Sequence, residues 1–316
     1  MRTAVIALIT LSTTASAQWT EPLDVRNHRS ADLVFLRLTP RSGVLSQNAR
    51  TLSYSLVVSN EFRRSGPIDE DSETARLLLD YRQGLSGGWE AFVEVPIVSR
   101  GGGFLDPLID WWHASVLGDP NPDREATAKG RSIVEFPGGG PFGSATGIGD
   151  VTLGIAHAVT DSAVARVAIK LPTGNASQLI GSGGFDAALA LDWRRKLTNA
   201  LLVDLHGAFV LQGRPTDLDG ARRAVYASSV SLTWVLNSRD ALTAQWSTER
   251  SPTRTGTVAL DRDHRVVSFG YQRRLDRDSV LQIYFSEDGD FRSVRFPGGA
   301  TTGPDLTIGV RLIQRK

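Results

Sequence analysis

The chain has 316 residues, with 35 Lys+Arg against 34 Asp+Glu, 31 Gly, one Met and no Cys. A formal charge of +1 provides no electrostatic basis for holding nucleic acid, and the lack of cysteine excludes disulfides, Cys-ligated zinc, iron–sulfur clusters and thiol catalysis. Beyond the first dozen residues no apolar run approaches the roughly 18–20 residues of a spanning helix, which excludes a helical membrane protein.

At the N-terminus, Met1-Arg2 is a positive start, Ala4 to Leu11 an apolar stretch and Ala15-Ser16-Ala17 a small-residue cleavage site. Residues 1–17 therefore read as a cleaved secretory signal peptide. No Cys follows it, so no lipoprotein anchor is expected. Residues 18–49 are expected to form a periplasmic N-terminal segment, with the folded body over 50–316.

From residue 51 the chain is written in period two, the pattern of strands with two different faces. The first strand sets Leu52, Tyr54, Leu56 and Val58 against Thr51, Ser53, Ser55 and Ser59. The second sets Leu77, Leu79 and Tyr81 against Arg76, Asp80 and Arg82. The third sets Trp89, Ala91, Val93, Val95 and Ile97 against Glu90 and Glu94. A fourth carries Leu153 and Ile155 opposite Asp150 and Thr152, a fifth Val167 and Ile169 opposite Arg166 and Lys170. The sixth carries Leu189, Leu191 and Trp193 opposite Asp186, Asp192 and Arg194; the seventh carries Leu205 and Phe209 opposite Asp204 and His206. The rhythm continues with Leu232 and Trp234 against Ser231 and Thr233, Leu242 and Trp246 against Gln245, and Phe269 and Tyr271 against Gln272. Ile283 and Phe285 against Gln282, then Ile308 and Val310 against Arg311, complete twelve strands.

The connections sort strictly by length. Those at Gly84–Gly88, Thr160–Ser162, Arg195–Asn199, Asn237–Asp240 and Leu275–Asp278 are short. Those at Glu61–Glu73, Ser99–Ile148, Thr173–Gly184, Gln212–Arg222, Glu249–Asp263 and Glu287–Thr302 are long. Such alternation is the wiring of an outer-membrane barrel, with tight periplasmic turns and long outer loops. The expected fold is thus all-β, a single transmembrane antiparallel up-and-down barrel of about twelve strands. A chain in hydrocarbon must pair every backbone polar group, which only a closed sheet does. The apolar sets would face lipid, with Tyr54, Tyr81, Trp89, Trp193, Trp234 and Phe285 as interfacial girdles.

The other face of each strand lines the lumen. The candidates are Arg76, Arg82, Glu90, Glu94, Asp150, Arg166, Lys170, Asp186, Asp192, Asp204, His206, Gln245, Gln272 and Arg311. Opposite charges on adjacent strands suggest cross-strand ion pairs in a narrow interior, leaving a small or plugged passage. The longest loop, Ser99–Ile148, exceeds a simple connector. Its centre, Phe104 to Val116, reads as a short amphipathic helix, with Leu105, Leu108, Ile109, Trp112 and Val116 as an apolar stripe. Asp106, Asp110 and His113 share the opposite, solvated face. Phe104, Leu105, Asp106, Asp110, Trp111, Trp112 and His113 are the loop-helix and gate candidates.

Thr51–Phe62 (TLSYSLVVSNEF), Tyr81–Pro96 (YRQGLSGGWEAFVEVP), Gly102–His113 (GGFLDPLIDWWH), Gly147–Leu153 (GIGDVTL) and Lys170–Gly174 (KLPTG) together resemble a family of bacterial outer-membrane proteins known only as a domain of unknown function. The resemblance covers nearly the whole mature chain. It implies the barrel fold and integral outer-membrane location, but no activity, ligand or catalytic residue. The C-terminus, Leu312-Ile313-Gln314-Arg315-Lys316, departs from the aromatic ending usual in such barrels.

The leading functional expectation is a narrow or gated channel for small or amphipathic solutes, with outer-membrane lipid and the barrel-assembly machinery as partners and no cofactor, metal or nucleic acid. The small-molecule ligand stays unknown. One alternative is a phospholipase-like barrel enzyme, for which the His-x-Ser pattern is His113-Ala114-Ser115; His157 reads as lipid-facing and His206 as inward. The other is a structural or adhesive barrel that binds through its outer loops.

Overall fold

A computed structural model describes residues 19–111, 114–115, 124, 126–288, 303–304 and 306–316. The expected signal peptide, Trp112, His113 and most of the last long loop lie outside the described residues.

The strands are β1 (Arg50–Ser65), β2 (Ile68–Gly84), β3 (Trp89–Gly101), β4 (Ile133–Phe136), β5 (Gly139–Phe142), β6 (Ala145–Ile148), β7 (Thr152–Thr160), β8 (Ala163–Lys170), β9 (Asp186–Lys196), β10 (Leu201–Leu211), β11 (Ala224–Val235), β12 (Asp240–Glu249), β13 (His264–Arg274), β14 (Ser279–Asp288) and β15 (Leu306–Arg315). Short α-helices among the described residues include α1 (Ser30–Leu33), α2 (Asp106–Trp111) and α3 (Val258–Asp261). Each strand pairs antiparallel with its neighbours, and β15 returns to β1 from Thr51↔Arg315 to Asn60↔Leu306. The sheet is therefore closed, a twelve-strand barrel as the alternation predicts.

The fourth barrel strand comes in two pieces, because β6 and β7 both pair with β3. The break lies opposite Pro96, which has no N–H to donate. Gly149 fills the break: its N–H reaches the Pro96 carbonyl at 2.8 Å, and a side chain there would press the proline ring at 3.0 Å.

One expected loop is strand instead. Glu61–Glu73 continues the β1–β2 ladder to Ser65↔Ile68, turning only at Gly66-Pro67, where Gly66 takes φ 57°. A two-residue hairpin turn keeps every backbone group of this polar stretch paired, which its charged composition concealed. The β4–β5 hairpin of the longest loop then adds to β2 through Asp69↔Glu135.

Alternation sorts the side chains cleanly. Leu56, Ile155, Val167, Leu189, Leu205, Leu232, Leu242, Ile283 and Val310 stand exposed on the outer wall, while Ser53, Arg82, Glu90, Arg166, Asp192, Ser231 and Gln272 are buried inside. Aromatics cluster in two bands along the wall. Tyr81, Trp89, Trp193, Trp234 and Tyr271 lie toward the short-turn end; Phe209, Tyr226, Trp246 and Phe285 lie toward the long-loop end. Such an apolar belt is stable only against hydrocarbon.

Candidate functional site

What fills the barrel is the segment before β1. The sequence reading placed 18–49 in the periplasm; the structure corrects this, because residues 19–41 lie inside the lumen. All of them except Leu33, Arg37 and Thr39 are buried. The segment forms a hairpin whose two limbs share one mouth. Trp19 packs with Leu202, Val235, Ala241, Val280 and Ile313 at the short-turn end, the chain turns at α1 near the long-loop end, and it returns to β1 beside the C-terminal Lys316. At the turn, Ala31, Val34 and Phe35 join Ile68, Val134, Phe136, Leu179, Leu218 and Leu260 in an apolar cluster contributed by the long loops.

An extended limb in a lumen brings backbone N–H and C=O groups that need partners. Inward glutamines supply them. Gln272 accepts from the Glu21 N–H at 3.1 Å and donates to the Glu21 carbonyl at 2.8 Å. Gln245 treats Leu23 the same way, at 3.0 and 3.2 Å. Gln282 adds a second donor to Glu21, and the Tyr284 hydroxyl donates to the Asp24 carbonyl at 2.8 Å. A primary amide has a donor and an acceptor side by side, so each glutamine stands in for a neighbouring strand.

The returning limb is held by charge. Lys170 donates to the Val34 carbonyl at 2.7 Å, the Leu36 N–H to Asp186 at 2.9 Å, and Arg166 to the Thr39 carbonyl at 2.6 Å. Arg41 fans onto three wall carboxylates: Asp80 at 3.2 Å, Glu90 at 3.2 Å and Glu94 at 3.1 Å. Near the turn Arg29 meets Glu70 at 3.0 Å and Arg37 meets Glu249 at 3.0 Å. The wall also pairs with itself: Arg82 with Glu90 at 2.8 Å, Lys170 with Asp150 at 2.7 Å and Asp186 at 3.1 Å, Arg166 with Asp192 at 2.6 Å, and Arg194 with Asp204 at 2.5 Å. His206 lies 2.9 Å from Asp192.

All the lumen candidates thus turn inward. Arg76 lines a small internal void of about 30 Å³ with Arg26 and Glu94. Arg311 is half-buried, 3.3 Å from Ser53. Sequence reasoning paired these charges across the wall and missed that many also hold the hairpin. Arg26, Arg29, Arg37 and Arg41, spaced through an otherwise aperiodic segment, were the available signal.

Among the described residues the loop helix covers Asp106–Trp111, and its two carboxylates are paired rather than left to water. Asp106 is buried, 2.7 Å from Arg124 and 3.1 Å from the Asn60 amide, while Asp110 meets Arg124 at 2.9 Å and also Lys129. Glu73 accepts the N–H groups of Phe104 and Leu105 at 2.9 and 2.7 Å. Arg124 and Glu73 are far from α2 in sequence, so the helical pattern alone left its carboxylates facing water. Leu105 and Ile109 are buried; Phe104, Leu108 and Trp111 are exposed. Among the described residues no group of three or more His, Asp or Glu could hold a metal. Nor, among them, does any histidine ring hydrogen-bond to a serine hydroxyl, Ser59 reaching only the backbone carbonyl of His28; His157 stacks on Trp89, ring centroids 4.3 Å apart, on the outer wall.

Below the hairpin the short-turn mouth opens into a vestibule of about 840 Å³. Arg82, Arg194, Lys196, Arg274, Arg277 and Arg315 line it, against the carboxylates of Glu21 and Asp161.

The crystal structure of the COG4313 outer membrane channel from Pseudomonas putida F1 superposes with a TM-score of 0.57 at 14% identity, covering 89% of this chain and 100% of that one. The translocator domain of the autotransporter NalP from Neisseria meningitidis gives 0.47 at 10%, covering 86% and 90%. The KdgM porin gives 0.43 at 9%, covering 84% and 98%. The first of these shares the barrel fold of this chain. No curated protein sequence matches. The model of one protein family, described as a protein of unknown function (DUF3187), matches residues 2–289.

Proposed function

The chain belongs to the protein family of unknown function DUF3187, and within that family we propose that it is an outer-membrane channel for small solutes, closed at rest by its own N-terminal hairpin. The short turns face the periplasm and the long loops face outward. The observation that carries this reading is the hairpin itself. Both its limbs reach the short-turn mouth, Trp19 on one and the start of β1 on the other, so it can be withdrawn through that mouth. Along the lumen its backbone and charged groups are held by hydrogen bonds and ion pairs to inward side chains. Water can replace such contacts, and what withdrawal must overcome is the apolar packing of Trp19, Leu23, Phe35 and Leu38. The fold likeness to a protein titled an outer membrane channel supports the reading.

The test is conductance of the purified full-length protein in planar bilayers, beside an Arg29→Gln/Arg41→Gln variant shown to be folded by heat-modifiable gel mobility. The wild type should be closed nearly all the time and the variant should conduct. Silence from both, with no solute flux in liposomes, would refute a channel.

A further inference from the structure

At the long-loop end, two loops on the outer wall surround a recess of about 440 Å³, lined by Gly220, Ala221, Arg222, Arg223, Arg250 and Arg254 among others. We infer that this recess binds the phosphate groups of a glycolipid in the outer leaflet, making it a lipid-docking site separate from the lumen.

The recess is built rather than incidental. Ala221 bridges Thr253, the Arg222 N–H reaches the Pro252 carbonyl at 2.9 Å, and the Arg254 N–H reaches the Gly220 carbonyl at 2.7 Å. Gly220 takes φ 71°, and a side chain there would strike the Arg254 carbonyl at 2.2 Å. Arg222 is spent on structure: its guanidinium donates to the carbonyls of Ser251 at 3.1 Å and Asp261 at 3.2 Å.

Its charge is unbalanced. Among the described residues, no carboxylate lies within 4 Å of any of the four guanidinium groups. Asp261 and Asp263 offset this charge only in part, and both also hold other groups: Asp261 accepts from the N–H groups of Thr255 at 2.6 Å and Gly256 at 3.0 Å, and Asp263 accepts from the Tyr226 hydroxyl. Partial burial, and then the charges of Arg250 and Arg254, push the Arg222 pKa below its ordinary value. An anion placed between these groups relieves that repulsion, and guanidinium forks match phosphate oxygens in pairs.

Position selects a lipid over a free ion. Alternation from the buried Glu249 points Arg250 outward, on the same face as exposed Trp246. Its guanidinium lies 5.8 Å from the ring centre of Tyr226, itself exposed in the outer aromatic band. Aromatic bands mark the edge of the hydrocarbon, so the arginines sit where lipid phosphates begin.

Native mass spectrometry of the full-length protein in detergent tests this with three probes: diphosphorylated lipid A, the same lipid without phosphates, and inorganic phosphate. The proposal expects diphosphorylated lipid A to bind, and an Arg223→Gln/Arg250→Gln/Arg254→Gln variant with Arg222 kept to bind it about tenfold or more weakly. It expects the dephosphorylated lipid to bind both proteins at the variant's level, and Arg277→Gln at the opposite mouth to change nothing. Undiminished binding by the triple variant overturns it. So does equal binding of the dephosphorylated lipid, an equal loss in Arg277→Gln, or inorganic phosphate displacing the lipid at equal concentration.

Discussion

The Arg41 guanidinium lies 3.1 Å from the Glu94 carboxylate, joining the inserted hairpin to β3 across 53 positions of sequence. The same guanidinium stacks 4.1 Å above the ring of Phe92, which in turn leans over Gly154, where any side chain would clash with it. One arginine thus gathers three carboxylates and an aromatic face in the lower lumen.

Arg41→Ala should release the hairpin. It leaves Asp80, Glu90 and Glu94 short of a counter-charge, and breaking a buried ion pair by removing one partner costs about 3–5 kcal/mol. On the wall Glu90 keeps Arg82 and Asp80 keeps Arg311, so the loss should fall mainly on the hairpin. The chain has no cysteine, so Ala31→Cys at the turn, fully buried, reports cleanly. It should resist a water-soluble maleimide in the otherwise native protein and label in the Arg41→Ala background. Equal protection in both would count against a displaceable hairpin.

Gly309→Ala should lower the temperature at which the barrel unfolds on gels. A methyl group there would lie 2.1 Å from the ring of Tyr284, a fully buried side chain that fills the lumen beside Asp24. Overpacking of this kind costs roughly 1–3 kcal/mol. Tyr284→Phe, losing only the hydroxyl bond, should cost about 0.5–1.5 kcal/mol. An unchanged melting point for Gly309→Ala would show that the ring moves freely.

Deleting residues 103–116 should leave the resting channel closed. That segment contains α2, which docks by Asp106 and Glu73 onto the extended β1–β2 ladder, while the returning limb is held lower down by Asp186, Asp192 and Glu90. Bilayer recordings that open on this deletion would transfer the stopper role to the loop.

Once opened by Arg41→Ala, the pore should prefer anions. The vestibule lining carries six cationic side chains against two carboxylates, and a mouth of one sign concentrates counter-ions. In a potassium chloride gradient the reversal potential should move toward that of chloride, and Lys196→Gln/Arg277→Gln should move it back. A potassium preference in the open variant would refute the assignment.

The amino-acid sequence by itself determined the barrel. Closing a sheet in oil puts one side chain in two against lipid, so period-two alternation, strand number and inward residues such as Arg166, Asp192 and Gln272 can be read locally. It could not say what the inward side chains hold. Gln245 clamps Leu23 from 222 positions away, Arg124 takes the charge of Asp106, and the polar run Glu61–Glu73 pairs with itself. Each depends on which groups the closed cylinder brings within about 3 Å, the reach of a hydrogen bond. Periodicity reports only which side of the wall a residue faces; what stands opposite it is decided by the register of the whole barrel and by the chain threaded through it.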